Sequence, residues 1–143
     1  MNFSAKKSLG QNFLNNKKII SLIIEQGNIN TKDIVLEVGP GTGSLTKNIL
    51  DKNPKEFFII EKDERLVDYL NKKFGSKIKI HNEDMMKFSY RNFYDKKIII
   101  FGNLPYNIST QILVKWIKIQ KLEKFCKKLV LMFQKEVADR IIA

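Results

Sequence analysis

The feature that most constrains the fold is the alternation of short apolar runs with helix-length amphipathic segments. The apolar runs are close to continuously hydrophobic, which is typical of parallel strands that are covered on both faces. The repeated strand–helix order therefore predicts an α/β fold built on an open, mostly parallel, doubly wound sheet with helices on both faces. We expect strands at 34–38, 57–61, 77–81, 98–102 and 129–134, and helices at 17–27, 45–52, 64–74 and 110–119.

Length and terminal sequence limit the protein class. A chain of 143 residues suits one domain with its own core. Its longest apolar stretches are strand-sized, well below the ~20 residues of a membrane-spanning helix. The N-terminus carries lysines but no following apolar run, so we expect no secretory signal. Cys126, the single cysteine, sits beside apolar residues and is expected to be a buried structural thiol in a reducing, cytoplasmic compartment.

The charge balance favours a polyanionic partner. Lysine and arginine number 26 against 15 acidic residues, which gives a formal net charge of +11. A field of that sign attracts nucleic acid above all. The alternative is that a composition rich in Lys, Ile and Asn reflects an AT-biased genome, because the basic residues are scattered as pairs rather than gathered in one arm. Charge alone leaves both interpretations open.

A glycine-rich loop follows the first expected strand, with the sequence EVGPGTG at 37–43. Gly39 and Gly41 permit positive φ and close approach of the backbone to a ligand, and the next helix offers free N–H groups. Dinucleotide-binding loops usually have the spacing G-x-G-x-x-G, whereas Gly43 comes one residue early here. Glu37 is expected to point into the region that a pyrophosphate would occupy. The loop thus favours a cofactor with an ammonium and a sulfonium, and disfavours a nicotinamide dehydrogenase.

Two acidic residues follow the next strands. Glu61 lies about twenty residues beyond the glycine loop, where a carboxylate can accept hydrogen bonds from ribose hydroxyls. Asp84 follows the third strand at a location suited to an adenine ring, and Glu83 is a weaker competitor for that role. His81 is better explained as a strand-end residue than as a catalyst, because no nucleophile–base pair is evident nearby.

The segment Asn103-Leu104-Pro105-Tyr106 after the fourth strand suggests a catalytic platform. The exocyclic amine of adenine is a poor nucleophile, and hydrogen bonds accepted by the Asn103 side chain and the Leu104 carbonyl could make it more reactive. Pro105 would fix the turn. The Tyr106 ring could stack on a base turned out of its helix, worth about 1–3 kcal/mol. The competing interpretation is an ordinary turn.

These motifs together resemble the ribosomal RNA adenine dimethyltransferases, in the same order and over nearly the whole chain, and most closely the small-subunit enzymes of the KsgA type. They are LGQNFL at 9–14, EVGPGTG at 37–43, Glu61, Asp84, NLPYNIST at 103–110 and QKEVA at 134–138. The resemblance implies a Rossmann-like S-adenosylmethionine-dependent methyltransferase fold. It also implies dimethylation of two adjacent adenosines near the 3′ end of small-subunit rRNA during ribosome biogenesis. No metal is implied.

Residue roles follow from the same resemblance. Asn12 and Leu14 would lie across the cofactor with Gln11 in support, and Gly39 would contact the methionine part. Glu61 would hold the ribose and Asp84 the adenine. The cofactor-binding residues implied are Gln11, Asn12, Leu14, Gly39, Gly41, Glu61, Asp84 and Asn103, and the catalytic residues are Asn103, Leu104, Pro105 and Tyr106.

The family also has two further strands and a small helical domain. We therefore expect residues 1–143 to be the S-adenosylmethionine-binding domain of a longer protein, truncated before those parts. The expected partner is small-subunit rRNA within an immature ribosomal subunit, and the expected state is a monomer. Two alternatives stay open: a large-subunit rRNA methyltransferase of the macrolide-resistance type, and a non-catalytic RNA-binding assembly factor.

Overall fold

A computed structural model of the protein describes residues 16–103, 109–118, 121–132 and 139–140. The five strands form one sheet in the order β3-β2-β1-β4-β5, and every neighbouring pair is parallel. This arrangement confirms the predicted fold class. The elements are α1 (Lys17–Gly27), β1 (Ile34–Val38), α2 (Ser44–Asp51), β2 (Glu56–Ile60), α3 (Glu64–Phe74), β3 (Lys79–His81), β4 (Ile98–Asn103), α4 (Ser109–Lys118) and β5 (Cys126–Met132), with 3₁₀ turns at Gly75–Lys77, Tyr90–Phe93 and Leu122–Lys124.

Capping residues explain why two helices have the predicted bounds. The Asn16 side chain accepts hydrogen bonds from the amides of Lys18 and Ile19 at the start of α1, and Asn28 ends that helix in the left-handed conformation. Asp63 caps α3 by accepting from the amide of Arg65, and Gly75 ends it with a φ of 59°. These side chains satisfy backbone groups that have no partner inside a helix.

The sheet separates two apolar cores, because successive strand residues point to opposite faces. One core packs α1, α2 and α3 against residues such as Val35 and Phe101. The other packs α4 and the aromatic turn Tyr90–Phe93 against residues such as Leu36 and Ile100. Burial on both faces explains the nearly continuous apolar runs and fixes the positions at which the strands end.

The expected strand bounds differ from the observed ones mainly at β3 and β5. Residues Gly75–Lys77 form a 3₁₀ turn, so β3 is shorter than predicted. Strand β5 begins at Cys126, three residues early, because Lys127 and Lys128 belong to the strand. Lys127 Nζ lies 3.0 Å from Asp33 Oδ1, and Lys128 Nζ lies 3.5 Å from the carbonyl oxygen of Gly27. Their long side chains carry the charge away from the sheet.

Two expectations about the protein class, on membrane-spanning helices and on Cys126, can be compared with the described residues. Within them, no helix combines the length and the hydrophobicity needed to cross a bilayer. Cys126 is half-buried at the start of β5, and burial raises the pKa of its thiol to about 11. A thiol with that pKa is almost fully protonated at neutral pH, as expected for a structural rather than a reactive cysteine.

Candidate functional site

The candidate site lies at the carboxyl edge of the sheet, the edge at which the strands end. Gly39 follows β1, Glu61 follows β2, Asp84 follows β3, and Asn103 is the last residue of β4. In open α/β sheets, ligands bind outside these strand ends where the strand order reverses, here between β1 and β4. The other predicted site residues lie outside the described ranges: Gln11, Asn12, Leu14, Leu104, Pro105 and Tyr106.

The glycine loop is held close to both neighbouring strands. The Gly39 N–H donates to the carbonyl oxygen of Ile60 at 3.1 Å, which ties the loop to β2. A Cβ built on Gly39 would lie 3.3 Å from the backbone oxygen of Asn103 and 3.8 Å from Met85 Cε. Gly39 also has a φ of 68°, which disfavours any residue with a side chain. The loop backbone therefore reaches the end of β4, where the predicted platform begins.

The early third glycine has a packing role. Gly43 precedes α2 with a φ of 90°, and a Cβ there would lie 2.7 Å from Phe74 Cε2 and 3.0 Å from Leu70 Cδ2. Both contacts belong to α3. Gly43 is thus required where α2 begins against α3, and this explains a spacing that differs from the dinucleotide pattern.

Glu37 is enclosed rather than open to a ligand. Its side chain lies between β1 and α2, the residue is only 2% exposed, and Oε2 accepts a hydrogen bond of 2.6 Å from the Thr46 hydroxyl. Burial raises the pKa of the carboxyl to about 8, an effect that Thr46 opposes and the charge of Glu61 increases. Glu37 is therefore mostly protonated at neutral pH. The expectation that it places a charge in the pyrophosphate region is wrong.

Glu61 carries a buried carboxylate whose orientation is set by hydrogen bonds from backbone amides. The residue is 8% exposed, and Oε1 accepts from the Asp63 N–H at 2.9 Å. Burial raises the pKa of its carboxyl to about 6, and the nearby Asp63 charge adds to this, whereas hydrogen bonds from the amides of Asp63, Lys62 and Gly41 lower it. The contact with Gly41 brings together two residues that the sequence placed in one site. At pH 7 the carboxylate is mostly ionised and suited to accept from hydroxyl groups.

Asp84 is held by its own loop, whereas Glu83 is exposed. Asp84 Oδ1 accepts from the Met86 N–H at 2.9 Å, and Oδ2 lies 3.4 Å from Lys62 Nζ. The Asp84 side chain keeps 24% of its surface exposed, so the carboxylate remains accessible. Of the two competing acidic residues, Asp84 has the defined orientation that a binding residue needs. His81 packs its ring 5.0 Å from that of Phe88, in agreement with a strand-end role.

Sequence reasoning missed Asn82, which joins two strand ends. Asn82 Nδ2 donates to the carbonyl oxygens of Glu61 at 3.0 Å and Lys62 at 3.2 Å, twenty or more residues away in sequence. The amide thereby fixes the segment carrying Glu61 relative to the loop carrying Asp84. An amide directly after a predicted strand was the available signal. Its partners depend on sheet order, which the local sequence does not give.

Comparison with known proteins adds an independent line of observation. The family model for ribosomal RNA adenine dimethylase matches residues 2–143. The chain is 52% identical over 139 residues to the ribosomal RNA small subunit methyltransferase A of Pelagibacter ubique, covering 97% of this chain and 53% of the relative. It is 42% identical over 142 residues to the protein of the same name from Ehrlichia ruminantium, covering 96% and 53%. The chain thus spans about half the length of these curated relatives.

Solved structures with the same fold include a dimethyladenosine transferase and a 23S rRNA methyltransferase. A dimethyladenosine transferase from Plasmodium falciparum superposes with a TM-score of 0.77 at 32% identity, covering 92% of this chain and 46% of that one. The 23S rRNA methyltransferase ErmE superposes with a TM-score of 0.73 at 27% identity, covering 89% and 50%. Both matches agree with the sheet and helix order described above.

Proposed function

The chain belongs to the ribosomal RNA adenine dimethylase family, and from this premise we propose that the protein transfers methyl groups from S-adenosylmethionine to adenine in rRNA. The specific targets proposed are the exocyclic amines of two adjacent adenosines near the 3′ end of small-subunit rRNA. The names of the relatives from Pelagibacter and Ehrlichia support the small subunit as substrate. We further propose that the protein acts as a monomer in the cytoplasm, on immature subunits.

One observation carries this proposal: Gly39, Gly41, Glu61, Asp84 and Asn103 converge at one edge of the sheet, as described above. The donor and acceptor chemistry fits S-adenosylmethionine. Gly39 and Gly41 leave space along the loop for the methionine part, the buried Glu61 carboxylate can accept from ribose hydroxyls, and Asp84 can accept from the adenine amine. The cofactor supplies, when bound, an electrophilic methyl group on a positively charged sulfur.

The residues of the chain would act chiefly by positioning the target amine. In this proposal the Asn103 side-chain oxygen and the Leu104 carbonyl accept hydrogen bonds from the two amine N–H groups, and Tyr106 stacks on the extruded base. Because the amine is neutral and the methyl donor is cationic, charge is dispersed rather than created as they react. The methylated amine is strongly acidic and loses its proton to water, so a strong general base is unnecessary and orientation is the main source of rate.

The test of the proposal is methyl transfer to isolated ribosomal particles. The full-length protein is incubated with S-adenosylmethionine labelled in its methyl group and with unmethylated small-subunit or large-subunit particles separately. The proposal predicts label in the small subunit only. Label confined to the large subunit would support the resistance-type alternative, to which the likeness to ErmE points. Tight particle binding without label would favour an assembly factor.

Cofactor choice is tested separately by thermal denaturation. Ligands that bind only the native state raise the melting temperature. We expect S-adenosylmethionine to raise it and NAD to leave it unchanged. A Glu61→Gln variant should keep its unliganded melting temperature within a few degrees and lose most of the shift caused by S-adenosylmethionine. Stabilisation by NAD would contradict the cofactor assignment.

A further inference from the structure

The segments that lead into the strands at one edge of the sheet carry an excess of positive charge. We define the amino edge as the segments that lead into the five strands: 28–33, 52–55, 75–78, 94–97 and 121–125. These segments contain eight lysines and only three acidic residues. The lysines are Lys32, Lys52, Lys55, Lys77, Lys96, Lys97, Lys121 and Lys124, and the acidic residues are Asp33, Asp95 and Glu123.

The carboxyl edge has the opposite balance. Its described connecting segments, 39–43, 61–63 and 82–89, contain four acidic residues and two lysines. The acidic residues are Glu61, Asp63, Glu83 and Asp84, and the lysines are Lys62 and Lys87. An AT-biased genome would account for the number of lysines. It would not account for the opposite charge balance of the connecting segments at the two edges.

The lysines of the amino edge are available to a partner. All eight are exposed, and none of them forms a salt bridge with a carboxylate in the described part of the chain. Asp33 is 7% exposed, and Lys127, at 3.0 Å, neutralises it from β5. Asp95 and Glu123 are exposed, so the eight lysines outnumber these two carboxylates by six. Uncompensated lysines repel one another, and an anionic partner removes that repulsion.

The backbone of the amino edge presents two of these lysines in an unusual way. Lys97 and Lys121 have φ values of 55° and 53°, in the left-handed region that residues other than glycine rarely adopt. The Lys97 ammonium lies 3.4 Å from the carbonyl oxygen of Glu123, which joins the loops before β4 and β5. On the other side, a cleft of about 370 Å³ is lined by Lys55, Lys77 and Lys79 together with Asp51 and Glu56, and Lys79 pairs with Glu56 at 3.8 Å. Exposed lysines thus occur along the edge from the segment before β3 to the segment before β5.

We propose that the amino edge is a second RNA-binding surface, which holds the phosphate backbone of an rRNA segment remote from the adenosines being methylated. The inference rests on the proposed function and adds to it how the substrate is held. Lysines contact phosphates without regard to sequence and supply affinity through counterion release. The described segments of the carboxyl edge hold only two lysines, one of which, Lys62, pairs with Asp84, so this proposal places the main phosphate contacts at the amino edge.

Distance makes the surface selective for folded RNA. A five-residue strand spans roughly 17 Å, so the two edges are separated by about that length through the sheet. A short single strand at the active site would not reach the lysines behind it. Two segments brought together by RNA folding, as in a ribosomal particle, can contact both edges at once, and the two contacts reinforce each other.

The test compares two triple variants of the full-length protein. The first is Lys55→Gln, Lys77→Gln and Lys96→Gln at the amino edge. The control is Lys18→Gln, Lys47→Gln and Lys72→Gln on exposed helix faces, with the same change in charge. Affinity for unmethylated small-subunit particles is measured over a series of KCl concentrations, together with the KM and kcat of methyl transfer and the affinity for S-adenosylmethionine.

We expect the amino-edge variant to bind particles at least tenfold more weakly near 150 mM KCl. The slope of log K against log[KCl] should become shallower by about 1 for each phosphate that the variant no longer neutralises. Its KM for particles should rise while kcat and cofactor affinity stay near those of the parent, and the control should change less than twofold. Equal effects of the two triple variants would overturn the inference.

Two outcomes distinguish this inference from the proposed methyl-transfer function and from membrane binding. If the parent protein transfers no methyl group to the small subunit, the proposed function fails, whereas the comparison of the triple variants in particle binding still tests the surface. If the amino-edge variant binds particles like the parent but loses binding to vesicles containing phosphatidylserine, the surface is a membrane contact and the RNA proposal is overturned.

Discussion

Replacing Glu37 with glutamine should remove a specific part of the pH dependence of stability. Glu37 is 2% exposed and bonded to Thr46, and its pKa in the folded protein is raised to about 8. Glutamine has nearly the same shape, cannot ionise, and can still accept the hydrogen bond from Thr46. The variant therefore tests the ionisation of this one buried group with little change in packing.

The sign and size of the effect follow from proton linkage. Burial raises the pKa of Glu37 from 4.5 to about 8, so between these values the native state holds a proton that the unfolded state has released. The free energy of unfolding then falls as pH rises, by about 1.4 kcal/mol per pH unit. This contribution is fully present below pH 4.5 and is lost as pH rises through 8. From pH 6 to 7.5 the parent should lose about 2 kcal/mol relative to Glu37→Gln.

Urea denaturation at pH 6, 6.5, 7 and 7.5 measures this difference, with the fluorescence of Trp116, the single and fully buried tryptophan, as the probe. Glu61, with its pKa of about 6, titrates in both proteins and largely cancels in the comparison. We expect the stability of Glu37→Gln relative to the parent to increase steadily with pH. A difference that stays constant from pH 6 to 7.5 would refute a protonated Glu37 in the native protein.

Three further predictions address packing, catalysis and reactivity. Gly43→Ala should destabilise the protein by about 1–3 kcal/mol in urea denaturation, because its Cβ would lie 2.7 Å from Phe74. In a Phe74→Ala background, which removes the nearest contacting ring, the same substitution should cost clearly less; an unchanged cost would disprove the packing role. Asn103→Ala should bind S-adenosylmethionine nearly normally in calorimetry and lose transfer by about 100-fold or more, because the target amine loses an acceptor. Normal transfer by that variant would exclude the platform. Alkylation of Cys126 by iodoacetamide at pH 8 should be at least ~10-fold slower in the folded protein than in urea, because burial raises the thiol pKa to about 11; equal rates would contradict that burial.

The fold was predictable because the strands are covered on both faces. Their nearly continuous apolar runs appear directly in the sequence, and the acidic residues Glu61 and Asp84 stand out because they follow such runs. Strand β5 was harder to bound, since Lys127 and Lys128 interrupt its apolar pattern while their side chains reach across to Asp33 and Gly27. Local polarity does not reveal partners that are about a hundred residues away.

The chemistry of individual side chains was less predictable, because it depends on contacts between elements. Glu37 has the pattern of a ligand-facing carboxylate, but the packing of α2 brings Thr46 onto it and burial protonates it. Asn82 became part of the site only through the pairing of β3 with β2. The roles of Gln11, Asn12, Leu14, Leu104, Pro105 and Tyr106 stay predictions from the family resemblance.

The central claim is tested most directly by mapping the modified nucleosides. Unmethylated small-subunit particles are treated with the full-length protein and S-adenosylmethionine, the rRNA is digested, and its adenosines are identified by mass spectrometry. The account predicts N6,N6-dimethyladenosine at two adjacent positions near the 3′ end and nowhere else. Particles that bind the protein yet carry no dimethyladenosine, or that carry it at unrelated positions, would contradict the account.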